Sequence, residues 1–119
     1  MYTFSQEYDF TRLLQAIVQQ VCFSKNNICL LLANIGFITI EGRFTLFDDN
    51  GNRFDFDLYP VDKDFGLLNL IEHKIVKAVT NYERSNLILN FDGGHILVLH
   101  GDENYESFSI RIGNDVVRI

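Results

Sequence analysis

Apolar and polar positions alternate over short runs along most of this chain, and a longer period shows only near the start. Phe10, Leu13, Leu14, Ile17, Val18, Val21 and Cys22 follow the i, i+3, i+4, i+7 spacing of an amphipathic helix. Taken alone, that spacing predicts a helix from about Tyr8 to Cys22. A second pattern argues against its latter half. An offset of 59 residues aligns Asn27-Ile28-Cys29-Leu30 with Asn86-Leu87-Ile88-Leu89, and Phe37-Ile38-Thr39-Ile40-Glu41-Gly42 with Ile96-Leu97-Val98-Leu99-His100-Gly101. Ile17, Val21 and Phe23 match Val76, Thr80 and Tyr82 in the same frame. Lys74 to Tyr82 is rich in β-branched residues and reads as a strand, so the helix is expected to end near Ala16 and a strand to begin near Ile17. The alignment predicts a duplicated β-meander, with copies over residues 8–60 and 66–119, inside a single domain spanning 1–119.

The turns refine this picture. Ser24-Lys25-Asn26-Asn27 as a four-residue loop sets Phe23 against Ile28 and Cys22 against Cys29. Between Phe44 and Tyr59, a two-residue Asn50-Gly51 loop would set Leu46 against Asp55. A three-residue loop with Gly51 in the left-handed conformation instead sets Leu46 against Phe54 and Phe44 against Phe56, which keeps one face apolar. That register leaves Arg43, Thr45, Asp55, Asp57 and Tyr59 on the opposite face, with Arg43 and Asp57 as a cross-strand ion pair. Further on, Asp92-Gly93 is expected to join Leu87–Phe91 to His95–Leu99, with Leu89 opposite Ile96 and Leu87 opposite Val98. Both faces of this pair are apolar, which places it in mid-sheet with helices at Tyr8–Ala16 and Gly66–Glu72 to cover it. A last strand runs from Tyr105 to Ile112. The expected fold is α+β: mainly antiparallel β, as one sheet or a two-sheet roll, with two short helices.

Composition then limits function. The 119 residues carry 16 acidic and 10 Lys or Arg side chains, a formal charge of −6. Nucleic acid and anionic lipid both demand a basic face, so neither is an expected partner. The N-terminus has no basic segment followed by an apolar run, and the longest apolar stretch, Ile28 to Ile40, falls short of the roughly 20 residues of a spanning helix. A cytoplasmic protein is expected, and in that reducing setting Cys22 and Cys29 read as small core residues rather than a disulfide. The charge is also concentrated: Asp48, Asp49, Asp55, Asp57, Asp62 and Asp64 lie in one 17-residue segment with only Arg53 and Lys63 to offset them. Such a run is either a solvated hairpin or a recognition surface for a cationic partner, with Phe47 and Tyr59 as its aromatic anchors.

Motifs for catalysis are missing. No phosphate-binding loop or nucleophile elbow occurs, and Arg53 stands where a calcium loop needs Gly. His95 and His100 differ in strand parity, so no metal is expected, and no cofactor is implied. Glu106 shares parity with Phe108, Ile110 and Ile112 and so is expected to point toward the apolar side, where it either reaches solvent or forms a polar pocket with His100.

Leu70-Ile71-Glu72-His73-Lys74-Ile75-Val76, Leu87 to Gly94, Asp102 to Phe108 and Ile38-Thr39-Ile40-Glu41-Gly42 resemble an uncharacterised family of small bacterial α+β domains. That family lends no catalytic residue. In size, charge and compartment the chain is also similar in type to the immunity proteins of bacterial toxin systems, including contact-dependent growth inhibition. The analogy implies a non-enzymatic antitoxin that binds a cognate basic toxin, such as a nuclease, through the acidic residues. The competing expectation is a small-ligand or regulatory binding module at His100 and Glu106.

Overall fold

The computed structural model describes residues 2–119. Ten strands follow one another: β1 (Val18–Phe23), β2 (Ile28–Leu32), β3 (Gly36–Ile40), β4 (Phe44–Phe47), β5 (Arg53–Phe56), β6 (Ile75–Val79), β7 (Leu87–Phe91), β8 (Ile96–Leu99), β9 (Phe108–Ile112) and β10 (Asp115–Arg118). They form two five-stranded antiparallel sheets, ordered β1-β2-β3-β9-β10 and β5-β4-β8-β7-β6. Each sheet therefore takes a three-stranded meander from one half of the chain and a hairpin from the other. Their inward faces share one apolar cluster in which Ile28, Leu30, Ile38, Ile40, Phe44, Leu87, Leu89, Leu97 and Leu99 are fully buried.

The two short helices expected at Tyr8–Ala16 and Gly66–Glu72 are single 3-10 turns, Phe10–Leu13 and Leu67–Leu70. Asp9 caps the first by accepting from the Thr11 backbone N–H at 3.0 Å. The turn then stops because Leu14 is extended and Gln15 takes a φ of 70°. From there the backbone pairs with the second half, Gln15 N–H donating to the Ile75 carbonyl at 2.7 Å and Glu72 N–H to that of Val18 at 2.7 Å. The helical spacing in the sequence has a different cause. A bulge between Val18 and Gln20 inserts one residue, so Val18 and Val21, three apart, both face the core of a strand. An equivalent shift lies between Ile75 and Lys77 in β6.

Most hairpin registers match expectation: Cys22 pairs with Cys29, Leu46 with Phe54 and Phe44 with Phe56. The β7–β8 hairpin does not. Leu87 pairs with Leu99 and Leu89 with Leu97, one residue away from the expected partners. Gly94, at φ 105°, extends the loop to three residues, and the Phe91 N–H closes it on the His95 carbonyl at 2.9 Å. The slip puts Leu87, Leu89, Leu97 and Leu99 all inward. β10 was not expected at all, since Asp115-Val116-Val117-Arg118 is too short and charged to announce itself.

Candidate functional site

β4 and β5 carry the acidic hairpin, and β4 also pairs with β8, setting Thr45 opposite both Asp55 and Val98. β8 ends at Leu99, and the next residue, His100, donates its backbone N–H to the Arg43 carbonyl at 3.1 Å. That bond holds the imidazole beside β4 on the outward face. There the Thr45 hydroxyl lies 2.6 Å from Asp55 Oδ1 and 2.8 Å from His100 Nε2, with Thr45 only 2% exposed. A carboxylate only accepts, so the hydroxyl proton goes to Asp55 and His100 Nε2 carries the proton it gives to Thr45. The imidazole thus donates to the hydroxyl instead of taking its proton, which is not the arrangement that activates a nucleophile.

The electrostatics follow from this network. The Thr45 hydrogen bond, with help from Arg53, holds the Asp55 carboxyl below the usual carboxylate range. Burial, with Arg43 and Arg53 nearby, lowers the His100 imidazole below its usual value despite Asp55. Arg43, Arg53, Asp55, Asp57 and His100 line a cleft of about 320 Å³. An adjoining cleft of about 230 Å³ shares Arg43, Asp57 and His100 and adds Tyr59, Tyr105 and Glu106.

The six aspartates do not form one face. Asp55 and Asp57 line the outward cleft, whereas Asp48 and Asp64 border a groove of about 410 Å³ on the inward side of β5, floored by Leu46, Phe54, Phe56 and Phe65. Asp49 is at the loop tip and Asp62 on the chain leaving β5, both exposed. Asp48 latches the turn, its Oδ1 accepting from the Asn50 and Asn52 N–H groups at 2.9 Å each and its Oδ2 from Asn52 Nδ2 at 3.0 Å. Those bonds, the Asn52 side chain foremost, lower its pKa. Asp55 is engaged as well, since Arg53 Nε donates to it at 3.1 Å. That pair replaces the expected Arg43–Asp57 bridge: Arg43 and Asp57 form no ion pair among the described residues. Side chains of Asp49, Asp57, Asp62 and Asp64 make no hydrogen bond or ion pair among the described residues. They lie in the tip and exit of β5, a strand that pairs only with β4.

The two expected anchors differ. Phe47 is half-buried with the Arg53 guanidinium 5.7 Å from its ring centre, so it already has a partner. Tyr59 is 63% exposed. Phe54, expected on the apolar face, is 46% exposed at the open edge of the groove. Glu106 is exposed, so it reaches solvent, one of the outcomes expected of it, but it does not share the inward parity of Phe108. Ser107 and Phe108 both donate their N–H groups to the Ile119 carbonyl, at 2.6 and 3.2 Å, and both side chains are buried. Strand alternation begins only at Phe108, so parity could not be extended back to Glu106. His100 and Glu106 nevertheless line the same small cleft. Cys22, expected in the core, is exposed, because it sits on the outward face of edge strand β1.

No helix is long and apolar enough to cross a membrane, and no group of three or more metal-ligating side chains occurs among the described residues. The chain matches no family model, no curated protein and no solved structure.

Proposed function

We propose that this protein is a non-catalytic immunity protein that acts in the cytoplasm, binding and neutralising a cognate basic toxin along β5. The observation that carries the reading is the state of that strand: an open sheet edge flanked on both sides by unpaired carboxylates. Asp57 on one side and Asp49, Asp62 and Asp64 around the tip and exit leave a negative field with no internal partner. The unpaired N–H and C=O groups of an edge strand take up an added strand, and the charges on β5 guard it against pairing with itself. A basic extended segment of the toxin meets both requirements, with Tyr59 and Phe54 as the apolar contacts. Attraction between the opposite charges speeds encounter and occupies the surface that a nuclease would offer to phosphate.

Element-by-element recurrence, down to the bulges of β1 and β6, supports an origin of the two halves in duplication of one meander unit. A second reading, a regulatory module for a small ligand, is favoured by the two clefts that meet at Arg43, Asp57 and His100. Titrating the protein with the toxin encoded beside its gene separates the two. Lysine at Asp49, Asp57, Asp62 and Asp64 should abolish complex formation and protection in cells. If the fourfold variant still binds and protects as wild type does, the β5 surface is not the interface.

A further inference from the structure

Cys22 and Cys29 lie in the sheet that does not contain the acidic hairpin. They face one another across β1 and β2, between the pairs Val21–Leu30 and Phe23–Ile28. Directly opposed residues in an antiparallel pair have Cα atoms about 4.5–5.5 Å apart, within the roughly 4.4–6.8 Å over which a disulfide closes. Val21 and Leu30 point into the core, so by alternation both thiols project from the outward face. Both are free, Cys22 exposed and Cys29 half-buried. The two are chemically unequal: burial, with the neighbouring Cys22, pushes the Cys29 thiol pKa up, although Thr39 opposite it on β3 offsets part of that rise. An accessible thiol on an edge strand thus sits beside a sheltered one that the hairpin already holds in place.

We infer that Cys22 is a site of reversible S-thiolation by low-molecular-weight disulfides, with Cys29 as the resolving thiol that closes a cross-strand disulfide. In the first step the Cys22 thiolate attacks one sulfur of a disulfide RSSR. The S–S bond breaks, and RS⁻ leaves with the electron pair and takes up a proton. In the second, the Cys29 thiolate attacks the Cys22 sulfur of the mixed disulfide and expels the other RS⁻, which is protonated in turn. The protein dithiol loses two electrons and two protons, and RSSR becomes two RSH. Closure is intramolecular between residues already paired by the backbone, so it outruns attack by a second RSSR on Cys29. The cross-link joins strands that are paired in the reduced form as well, so it preserves the hairpin register.

The test uses the full chain in mixtures of glutathione and glutathione disulfide, quenched by alkylation and read by intact mass. Wild type is expected to lose both thiols together, to end two hydrogens lighter and to stay monomeric. Cys29→Ser should accumulate one glutathione adduct at Cys22, and Cys22→Ser should react several-fold more slowly. Circular dichroism checks the fold of each variant. A measurement without substitutions uses a trivalent arsenical, which should bridge both thiols of wild type in a single adduct. A stable glutathione adduct on wild type, equal reactivity of the two single variants, or two thiols that arsenical leaves unbridged would overturn the assignment.

Discussion

Gly36→Ala tests the exchange of hairpins between the two halves more directly than any change in the acidic segment. Gly36 begins β3 and pairs with Ile112 of β9, where the second half enters the sheet of the first. A Cβ at Gly36 would lie 1.8 Å from the Arg111 carbonyl oxygen, 2.8 Å from its carbon and 3.1 Å from the Ile112 Cα. All three atoms are backbone, so no side chain can rotate away. Restoring even a 3.0 Å contact moves the β9 carbonyl by at least 1.2 Å. A ladder bond of about 2.9 Å stretched by that much is no longer a hydrogen bond. The Gly113 N–H bond to the Ile35 carbonyl, 3.1 Å, lies in the same step and goes with it. Two or three ladder bonds at about 1 kcal/mol each give a loss of roughly 2–3 kcal/mol, a large share of the roughly 5–15 kcal/mol typical of a whole domain. Gly51→Ala is the control: φ is 83° and nothing lies within 4 Å, so its cost is backbone strain alone, about 1–2 kcal/mol. Urea unfolding of both variants measures the difference, and amide exchange should show β9 and β10 opening first in Gly36→Ala. Equal stability of the two variants would mean that β3 and β9 are not paired as described.

Three further outcomes follow from the site. Thr45→Val keeps the shape but removes the hydroxyl. The Asp55 carboxyl should then move back toward its ordinary value in an NMR titration, while loss of the His100 bond costs about 1 kcal/mol; an unmoved Asp55 would refute the bridge. The folded imidazole of His100 binds protons less readily than the unfolded one. Stability is therefore full above the ordinary histidine pKa of 6.5 and declines as pH falls below it. His100→Gln should flatten that slope between pH-dependent melting curves. Asp48→Ala should speed amide exchange at Asn50 and Asn52, whose N–H groups it caps, whereas Asp49→Ala should leave exchange there unchanged and act on partner affinity alone.

Local chemistry in the sequence specified more than periodicity did. The β4–β5 register was legible because only one loop length kept Phe44, Leu46, Phe54 and Phe56 together, and the face bearing Arg43, Thr45, Asp55 and Asp57 came with it. The β1 bulge imitated a helix, since one inserted residue turns a period of two into a local spacing of three. The β7–β8 slip turned on Gly94, a second left-handed glycine that a Asp92-Gly93 turn signal conceals. The Thr45–Asp55–His100 network was out of reach for another reason. It depends on β8 pairing with β4 instead of continuing to β9, a contact between residues 55 positions apart that no local pattern encodes.

The same topology explains why that network occurs once. In the other sheet β3 meets β9 as β8 meets β4, and Glu41 N–H bonds to the Ser107 carbonyl at 2.8 Å as His100 N–H bonds to that of Arg43. Ser109 stands in the row with Thr39 and Arg118 as Thr45 stands with Val98 and Asp55. The backbone frame is therefore shared, while the side chains differ: Glu41 takes the place of His100, and the cationic Arg118 that of the anionic Asp55. Two corners with one geometry but different side chains cannot both suit the same partner. Under the proposed reading, a basic segment would be drawn to the edge at β5, where Asp57 and the aspartates of the tip and exit surround it, and repelled at β10, where Arg118 and, on neighbouring β9, Arg111 stand exposed. The matching experiment exchanges the charges of the two edges: Asp55→Arg with Asp57→Arg should abolish toxin capture, Arg111→Asp with Arg118→Asp should leave the native interface intact, and loss of binding in the second variant alone would put the interface on the wrong sheet.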